Sequence, residues 1–521
     1  MLLRRLASGH TGKALRLRRL ALKQLRALVG RRWCSGEIGA AARTQKAKEQ
    51  ECPAVGHSVL EELVRRGLVE DSYPTATNGR SLAQTLESFP RCCYAGVDPT
   101  ADSLHIGHLM VLMTLAHLYL SGFEVHVVVG GATARLGDPS GRSEDRPVID
   151  RATLKRNTVA IEEQLRRFFD NARRHGGDFA DLGTLTIHNN LSWHEGLTAL
   201  DFVSGFARQF RLGELLKQRF VRSRLADDAS TGLSFAEFSY QLFQAYDWYQ
   251  LFGLTVGRCR MQIGGKDQLG HIALGMDMLE RSTEASGCGL AVSLLTTTDG
   301  VKMGKSASGG AGSPFGSSDV VWLDERKTTP FELYQHLQRT PDTQVEWLLR
   351  RLTFLPLDEV SALVEESREE AWLAQRRLAE CVTSLVHGEE GLATAQNCTQ
   401  LLYGRIGEDI LAAGLSVGDL RALRSVVPTV EVPLSDAGQS VSTVADLAEM
   451  VYLNNVDALH KVKQGAFYVN LVRKSVPEEV LDLPNLFISQ RGALGDREEE
   501  FTLLRSGKRN YVLLVWRKCS E

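Results

Sequence analysis

A short apolar run at Tyr94-Ala95-Gly96-Val97, an apolar helical stretch from Ile106 to Leu120 and a second apolar run at Glu124 to Val129 follow one another. Two strands joined by a helix lie parallel in one sheet, and the crossover is right-handed. This predicts a nucleotide-binding βαβ unit, whose ligands gather at the carboxyl ends of the strands. At those ends stand Gly130-Gly131 and then Gly137-Asp138-Pro139-Ser140-Gly141. Between the first strand and the helix runs Asp98-Pro99-Thr100-Ala101-Asp102-Ser103-Leu104-His105-Ile106-Gly107-His108. Two imidazoles at a helix start sit beside free N–H groups and the positive end of the dipole, a setting that favours phosphate. Far downstream, Lys302-Met303-Gly304-Lys305-Ser306 precedes the glycine- and serine-rich stretch Ala307 to Ser318. Such a segment predicts a mobile flap, and two lysines on it can close on the same triphosphate. The pairing implies ATP and adenylyl transfer.

The rest of the chain bounds this reading. Its 521 residues suggest about three domains. With 43% hydrophobic and 24% charged residues it reads as an ordinary soluble globular protein. A net charge of -2 leaves any nucleic-acid affinity to local basic patches. The nine cysteines are scattered, odd in number and without metal-ligand spacing. They point to a reduced compartment and away from a disulfide framework or a zinc site, so no metal site is expected. The N-terminus is different: Arg4, Arg5, Lys13, Arg16, Arg18, Arg19, Lys23, Arg26, Arg31 and Arg32 precede the first acid, Glu37. Leucines at 15, 22 and 25 give that segment an apolar helical face. A basic, acid-free amphipathic start predicts a mitochondrial transit peptide over 1–35, with a basic RNA-binding arm as the alternative. The stretch Met110 to Gly131 comes nearest to a membrane span, but His117, Glu124 and His126 interrupt it. No membrane partner is expected.

Periodicity predicts helices over Ser58–Val69, Arg151–Arg174, Ala199–Leu225 and most of Pro330–Leu423, and a strand over Cys259–Ile263. The expected organisation is a polar linker at 36–57, an α/β domain with a parallel sheet at 58–328, a helical domain at 329–428, a linker at 429–443 and an α+β domain at 444–521. This C-terminal domain combines a helix with short strand-like runs at Ala466–Val472, Phe501–Leu504 and Tyr511–Trp516, interleaved with basic residues.

Six motifs stand in order: Tyr94-x-Gly96-x-Asp98-Pro99-Thr100, His105-Ile106-Gly107-His108, Gly137 to Gly141, Ser239-Tyr240 with Gln244-Ala245-Tyr246-Asp247, Gln262-Ile263-Gly264-Gly265 with Asp267-Gln268, and the lysine loop. From about Ser58 onward the chain resembles the class I aminoacyl-tRNA synthetases, and among them the bacterial and organellar tyrosyl-tRNA synthetases. The resemblance implies a Rossmann-like catalytic domain, a helical anticodon-arm domain and an S4-like RNA-binding tail. It implies activation of L-tyrosine with ATP and transfer of the tyrosyl group to tRNA(Tyr), in the mitochondrial matrix. Magnesium would accompany ATP as substrate, with no prosthetic group, and the protein would be a homodimer.

By the same resemblance Thr100, His105 and His108 would donate to phosphate oxygens. Lys302 and Lys305 would close over the β and γ phosphates, with Ser306, Arg142 and Arg146 beside them. Asp98, Gly107, Gly264, Gly265, Asp267 and Gln268 would serve the ATP site, the carboxylates toward ribose. Tyr94 and Asp247 would hold the substrate phenol. Asp138, Tyr240 and Gln244 would hold its ammonium group, with Gln262 in support. Tyr240, Gln244 and Asp247 fall at i, i+4 and i+7 and share one helical face. The chain departs from the family pattern at Lys266, which replaces a small residue, and in the length of the glycine–serine stretch. The tail match rests on Lys463-Gln464-Gly465-Ala466-Phe467-Tyr468-Val469-Asn470. There Lys461, Lys463, Arg473, Lys474, Arg505, Lys508, Arg509, Arg517 and Lys518 would line tRNA phosphates, anchoring without reading sequence. Two alternatives stay open: a tryptophanyl enzyme of the same fold, and an RNA-binding or splicing-support protein built on a synthetase body.

Overall fold

The computed structural model describes residues 58–73, 84, 86, 89–140, 148–175, 182–225, 232–295, 320–403, 423–424, 427–436, 441–451, 455–481, 486–487, 499–507 and 510–517. The expected transit peptide and first linker lie outside them, as do Arg142, Arg146, Lys302, Lys305, Ser306, Lys508, Arg509 and Lys518. Two compact units form. Of the described residues, the first comprises those up to Asp102, those of Met110–Glu162 and those of 178–294; the second comprises Ser103–Leu109, those of 163–177 and those from Leu295 onward.

The first unit holds a six-stranded sheet. Its strands are β1 (Val69–Tyr73), β2 (Cys92–Val97), β3 (Glu124–Val129), β4 (Thr184–Asn189), β5 (Met261–Gly265) and β6 (Cys288–Val292). They lie in the order β1-β6-β5-β2-β3-β4. All neighbours are parallel except β1, which runs antiparallel to β6 at the edge. The expected βαβ unit is present. A 3-10 turn at Ile106–His108 leads into helix α1 (Leu109–Leu120), which connects β2 to β3. Strands β1, β4 and β6 go beyond the sequence expectation. β1 reads Val-Glu-Asp-Ser-Tyr, too polar to declare itself, and β6 is five buried residues, too short for a period. The long helix α2 (Arg151–His175) is as expected. The helical pattern read over Ala199–Leu225 is realised as a series of short helical turns, among them a π-turn at Phe202–Phe206.

Helix α3 (Phe235–Leu254) starts where Ser234 accepts from the Glu237 amide. Its Trp248 is fully buried and donates from Nε1 to the Cys259 carbonyl at 3.1 Å. Gly275, on helix α4 (Leu269–Thr283), makes room for it: a Cβ there would stand 2.7 Å from the indole. That contact fixes α3 against α4 and so sets where the polar face of α3 stands in this unit.

In the second unit, helices α5 (Pro330–Gln338), α6 (Asp342–Leu352), α7 (Leu357–Glu366) and α8 (Leu373–Tyr403) precede a five-stranded sheet. α5 begins with a reciprocal cap between Thr329 and Glu332 and with Pro330 in its first turn. α8 is two helices meeting at Gly388, whose φ of 76° suits glycine. The strands are β7 (Thr429–Pro433), β8 (Phe467–Val469), β9 (Val472–Lys474), β10 (Glu499–Ser506) and β11 (Asn510–Arg517), in the order β7-β11-β10-β8-β9. β7 falls where the sequence predicts a linker, and it pairs in parallel with β11. Both faces of the sheet are covered. Phe501, Leu503 and Leu513 pack with Phe331 and Leu402, whereas Leu504, Leu514 and Trp516 pack with Val444 and Leu447. A second tail helix, Asn455–Lys463, accompanies the expected one at Val444–Val451.

His387 is buried in α8 and neither ring nitrogen has a hydrogen-bond partner. Burial, reinforced by Arg167, pulls its pKa down from 6.5 to about 3. The unfolded chain therefore binds one more proton than the native chain between those values, and stability falls as pH drops below 6.5. Between pH 6.5 and 5.5 the loss is about 1 kcal/mol for this group. Thermal melts across that window should show a shallower pH slope in His387→Leu than in the parent.

Candidate active site

At the carboxyl end of β2, Asp98 Oδ2 accepts from the Tyr240 hydroxyl at 2.9 Å and Oδ1 accepts from Thr133 Oγ1 at 2.7 Å. Thr133 Oγ1 in turn accepts from Asn190 Nδ2 at 3.1 Å, and the same amide donates to Asp247 Oδ2 at 2.9 Å. Asn190 is itself held by the Ala132 amide, which donates to its Oδ1 at 2.7 Å. Asp247 Oδ1 accepts from Trp193 Nε1 at 2.7 Å and lies 2.9 Å from His194 Nε2. One chain of hydrogen bonds thus joins Tyr240, Asp98, Thr133, Asn190 and Asp247 along the carboxyl ends of β2, β3 and β4.

Tyr94 points into the same region from β2. Its ring meets Trp248 edge-on at 5.6 Å, and its hydroxyl is buried without a hydrogen-bond partner. Burial, then the charge of Asp247, pushes this phenol well above its ordinary pKa. A buried hydroxyl left unpaired costs about 1–3 kcal/mol, and a ligand carrying its own hydroxyl would remove that cost. Gln262 is the strand partner of Tyr94 and is buried on the same face. Gln244, one helical turn beyond Tyr240, also buries an unpartnered Oε1.

Asp138 forms a second cluster. Its Oδ1 accepts from the Ser140 amide at 2.9 Å and lies 3.3 Å from His271 Nε2. Its Oδ2 accepts from Ser140 Oγ and from Gln268 Nε2, each at 2.8 Å. Burial alone would raise this carboxyl. The hydrogen bond and charge of His271, with the Ser140 bonds, outweigh burial and hold it well below the usual carboxylate range. Tyr240 therefore stands with Asp98 and Asp138 with Gln268, whereas the resemblance groups Tyr240 with Asp138. The clusters are neighbours, since the Tyr240 and His271 rings lie 5.5 Å apart. The three carboxylates Asp98, Asp138 and Asp247 in this unit suit a small cation. Gly264 and Gly265 end β5, and Asp267 sits in the turn Lys266–Gln268 that follows. Lys266 turns outward and pairs with Glu70 at 2.7 Å. Thr100 follows Asp98 and donates its amide to the Asp98 carbonyl at 2.8 Å.

His105 and His108 belong to the second unit. The His105 amide lies 3.1 Å from His108 Nδ1, and the same ring nitrogen lies 3.2 Å from the His105 carbonyl. The two rings are 3.9 Å apart, with Gly107 in the turn between them. Their backbone is fixed from outside: Ile106 N donates to the Val321 carbonyl at 2.9 Å and Leu323 N to the Leu104 carbonyl at 2.8 Å. Two-residue ladders of this kind leave no sequence signal.

Several residues of these networks escape the sequence reading: Thr133, Asn190, Trp193, His194 and His271. Asn190 follows β4 directly, so recognising that strand would have drawn attention to it. In the tail, four of the basic residues expected on tRNA have partners within the chain. Arg473 donates to the Gly465 carbonyl, Lys474 pairs with Glu479, Arg505 covers the Tyr468 ring, and Arg517 pairs with Glu431. Lys461 and Lys463 are exposed.

Residues 89–404 match the family of class I tRNA synthetases (W and Y), and the chain belongs to that family. Over 464 residues it is 38% identical to the mitochondrial tyrosine–tRNA ligase of Drosophila melanogaster, covering 88% of this chain and 94% of the relative. It is 37% identical to the mitochondrial tyrosine–tRNA ligase of Homo sapiens over 87% of this chain and 90% of that one. Among solved structures, a C-terminally truncated mitochondrial tyrosyl-tRNA synthetase of Aspergillus nidulans superposes with a TM-score of 0.57. That match has 30% identity and covers 72% of this chain and 99% of that chain.

Proposed function

We propose that the chain is a tyrosine–tRNA ligase of mitochondria, acting in the matrix, and that 1–35 is its transit peptide. The observation that carries the amino acid choice is the unpartnered Tyr94 hydroxyl facing the Asp247 charge. A substrate phenol accepting from Tyr94 and donating to Asp247 satisfies both; phenylalanine and tryptophan bring no hydroxyl. Asp138, Tyr240 and Gln244 take the ammonium group, with Gln262 behind them.

In the first step a carboxylate oxygen of tyrosine attacks the α-phosphorus of ATP. The bond from that phosphorus to the bridging oxygen breaks, and pyrophosphate leaves with the electron pair. In the second step a hydroxyl of the terminal tRNA ribose attacks the adenylate carbonyl and AMP departs. Neither step needs a covalent enzyme nucleophile, so positioning and charge stabilisation carry the rate. Thr100, His105, His108, Lys302 and Lys305 are assigned to the phosphates, with Arg142, Arg146 and Ser306 in support. Asp98, Gly107, Gly264, Gly265, Asp267 and Gln268 are assigned to the rest of ATP, which arrives with magnesium. The helices after residue 329 serve the anticodon arm. The tail anchors tRNA(Tyr) through Lys461 and Lys463, not through the arginines already engaged within the fold.

The deciding experiment is ATP–pyrophosphate exchange with tyrosine, phenylalanine and tryptophan in parallel. Exchange with tyrosine alone is expected; exchange with tryptophan would overturn the pocket assignment. The absence of exchange with any of the three would favour the RNA-binding reading.

The working form is a homodimer. Phe235 is 80% exposed at the start of α3, and Leu200, Val203 and Leu212 are exposed in the same unit. These open apolar side chains support the reading of a contact between two copies. Phe235→Asp should weaken self-association about 30-fold or more, read by sedimentation equilibrium.

A further inference from the structure

We infer that Cys92, Glu124 and His126 form a binding site for one zinc-class divalent ion, at the end of the sheet opposite Asp98. Cys92 opens β2 and Glu124 opens β3, and the two are direct register partners. His126 lies two residues beyond Glu124, on the same face of β3. One ligand atom from each residue can be chosen so that all lie within 4.8 Å of one another. A thiolate, an imidazole and a carboxylate are the donor set of zinc-type sites, which hold their ligands at about 2.0–2.3 Å. A contraction of about 1 Å would close the set on an ion of that size.

Two further observations point to a ligand. His126 is buried, and its Nε2 faces the Cys92 thiol and stands 3.3 Å from Glu124 Oε1 without a well-aligned hydrogen bond to the carboxylate. Its other nitrogen, Nδ1, lies 2.9 Å from His188 Nε2, and the two rings stack at 5.2 Å. When His126 donates Nδ1–H to His188, the lone pair on Nε2 is the one aimed at Glu124 and Cys92. Metal-bound histidines are commonly oriented by an outer partner of this kind. The site also has an entrance: a groove of about 490 Å³ lined by Cys92, Glu124, Thr184 and Arg258 among others. Arg258 pairs with Glu124, but its side chain is 58% exposed and can swing away as an ion enters. The groove leaves a fourth position for water. Cysteine spacing in the sequence argues against zinc because these ligands come from different strands, which only the parallel register brings together.

The test is zinc titration of the purified full chain against a chromophoric chelator, with cobalt(II) as the spectroscopic probe. One equivalent should bind, and cobalt should show thiolate-to-metal charge transfer. Cys92→Ser and His126→Gln should abolish stoichiometric binding. His188→Ala should weaken it about 10- to 100-fold, and Arg258→Ala should tighten it. Binding that survives both ligand substitutions, or no stoichiometric binding by the parent chain, would overturn the assignment. Should the substituted chains fail to fold, the parent decides alone: bound cobalt without a thiolate band would equally overturn it. None of these readouts depends on aminoacylation.

Discussion

Asp247→Asn is expected to lower kcat/KM for tyrosine by about 10- to 100-fold and to leave that for phenylalanine nearly unchanged. A hydrogen bond to a charged group contributes about 1.5–3 kcal/mol, and only the substrate with a hydroxyl makes this one. The substitution keeps the shape but places an NH2 where an oxygen stood. Oδ1 serves Trp193 and His194, whereas Oδ2 serves Asn190 alone. The new NH2 therefore faces Asn190, whose own oxygen is already occupied by the Ala132 amide. Asp247→Ala would leave three buried donors unpaired and test folding as much as selectivity, which makes Asn the cleaner probe. Pyrophosphate exchange with both amino acids checks the result. An equal fall for the two substrates would assign Asp247 to the scaffold and not to selection.

Gly130→Ala should be comparably damaging although it adds one methyl group. A Cβ at that position would stand 1.9 Å from Asp98 Oδ1 and 2.3 Å from Thr133 Oγ1. Those two atoms are bonded to each other, so either Asp98 leaves Tyr240 and Thr133 or β3 shifts. A displacement of about 1 Å at reacting groups costs about 100-fold in rate. The loss should appear in single-turnover adenylate formation. Unchanged adenylate formation would mean that the Asp98–Tyr240 contact has no role in the chemistry.

What can be read in the sequence follows a physical rule. β2, β3 and α1 announce themselves because an apolar run, an apolar helical stretch and a second apolar run follow one another, and the motif residues sit at their ends. Asp98 and Asp138 are legible for that reason, and Tyr240 and Asp247 through their i, i+7 spacing on one helical face and the motif they share with the family. Their partners are not. Asn190 and Trp193 follow a strand with exposed polar positions, and His271 reaches Asp138 from 133 positions away in the chain. The break-up of Ala199–Leu225 is hidden because a run rich in leucine, phenylalanine and arginine satisfies a helical period whether or not the helix continues. β7 passes for a linker because Thr-Val-Glu-Val-Pro is short and ends in proline, and only pairing with β11 makes it a strand.

The backbone ladder that joins Leu104 and Ile106 to Leu323 and Val321 bears on how freely the chain can vary in length. It fixes the return of the polypeptide after the lysine signature by hydrogen bonds that do not depend on what precedes them. An insertion or deletion before Val321 therefore leaves the donors and acceptors beside His105 unchanged, because none of the four groups belongs to a side chain. Variation in chain length and the placement of the histidines are thus separable properties of this polypeptide.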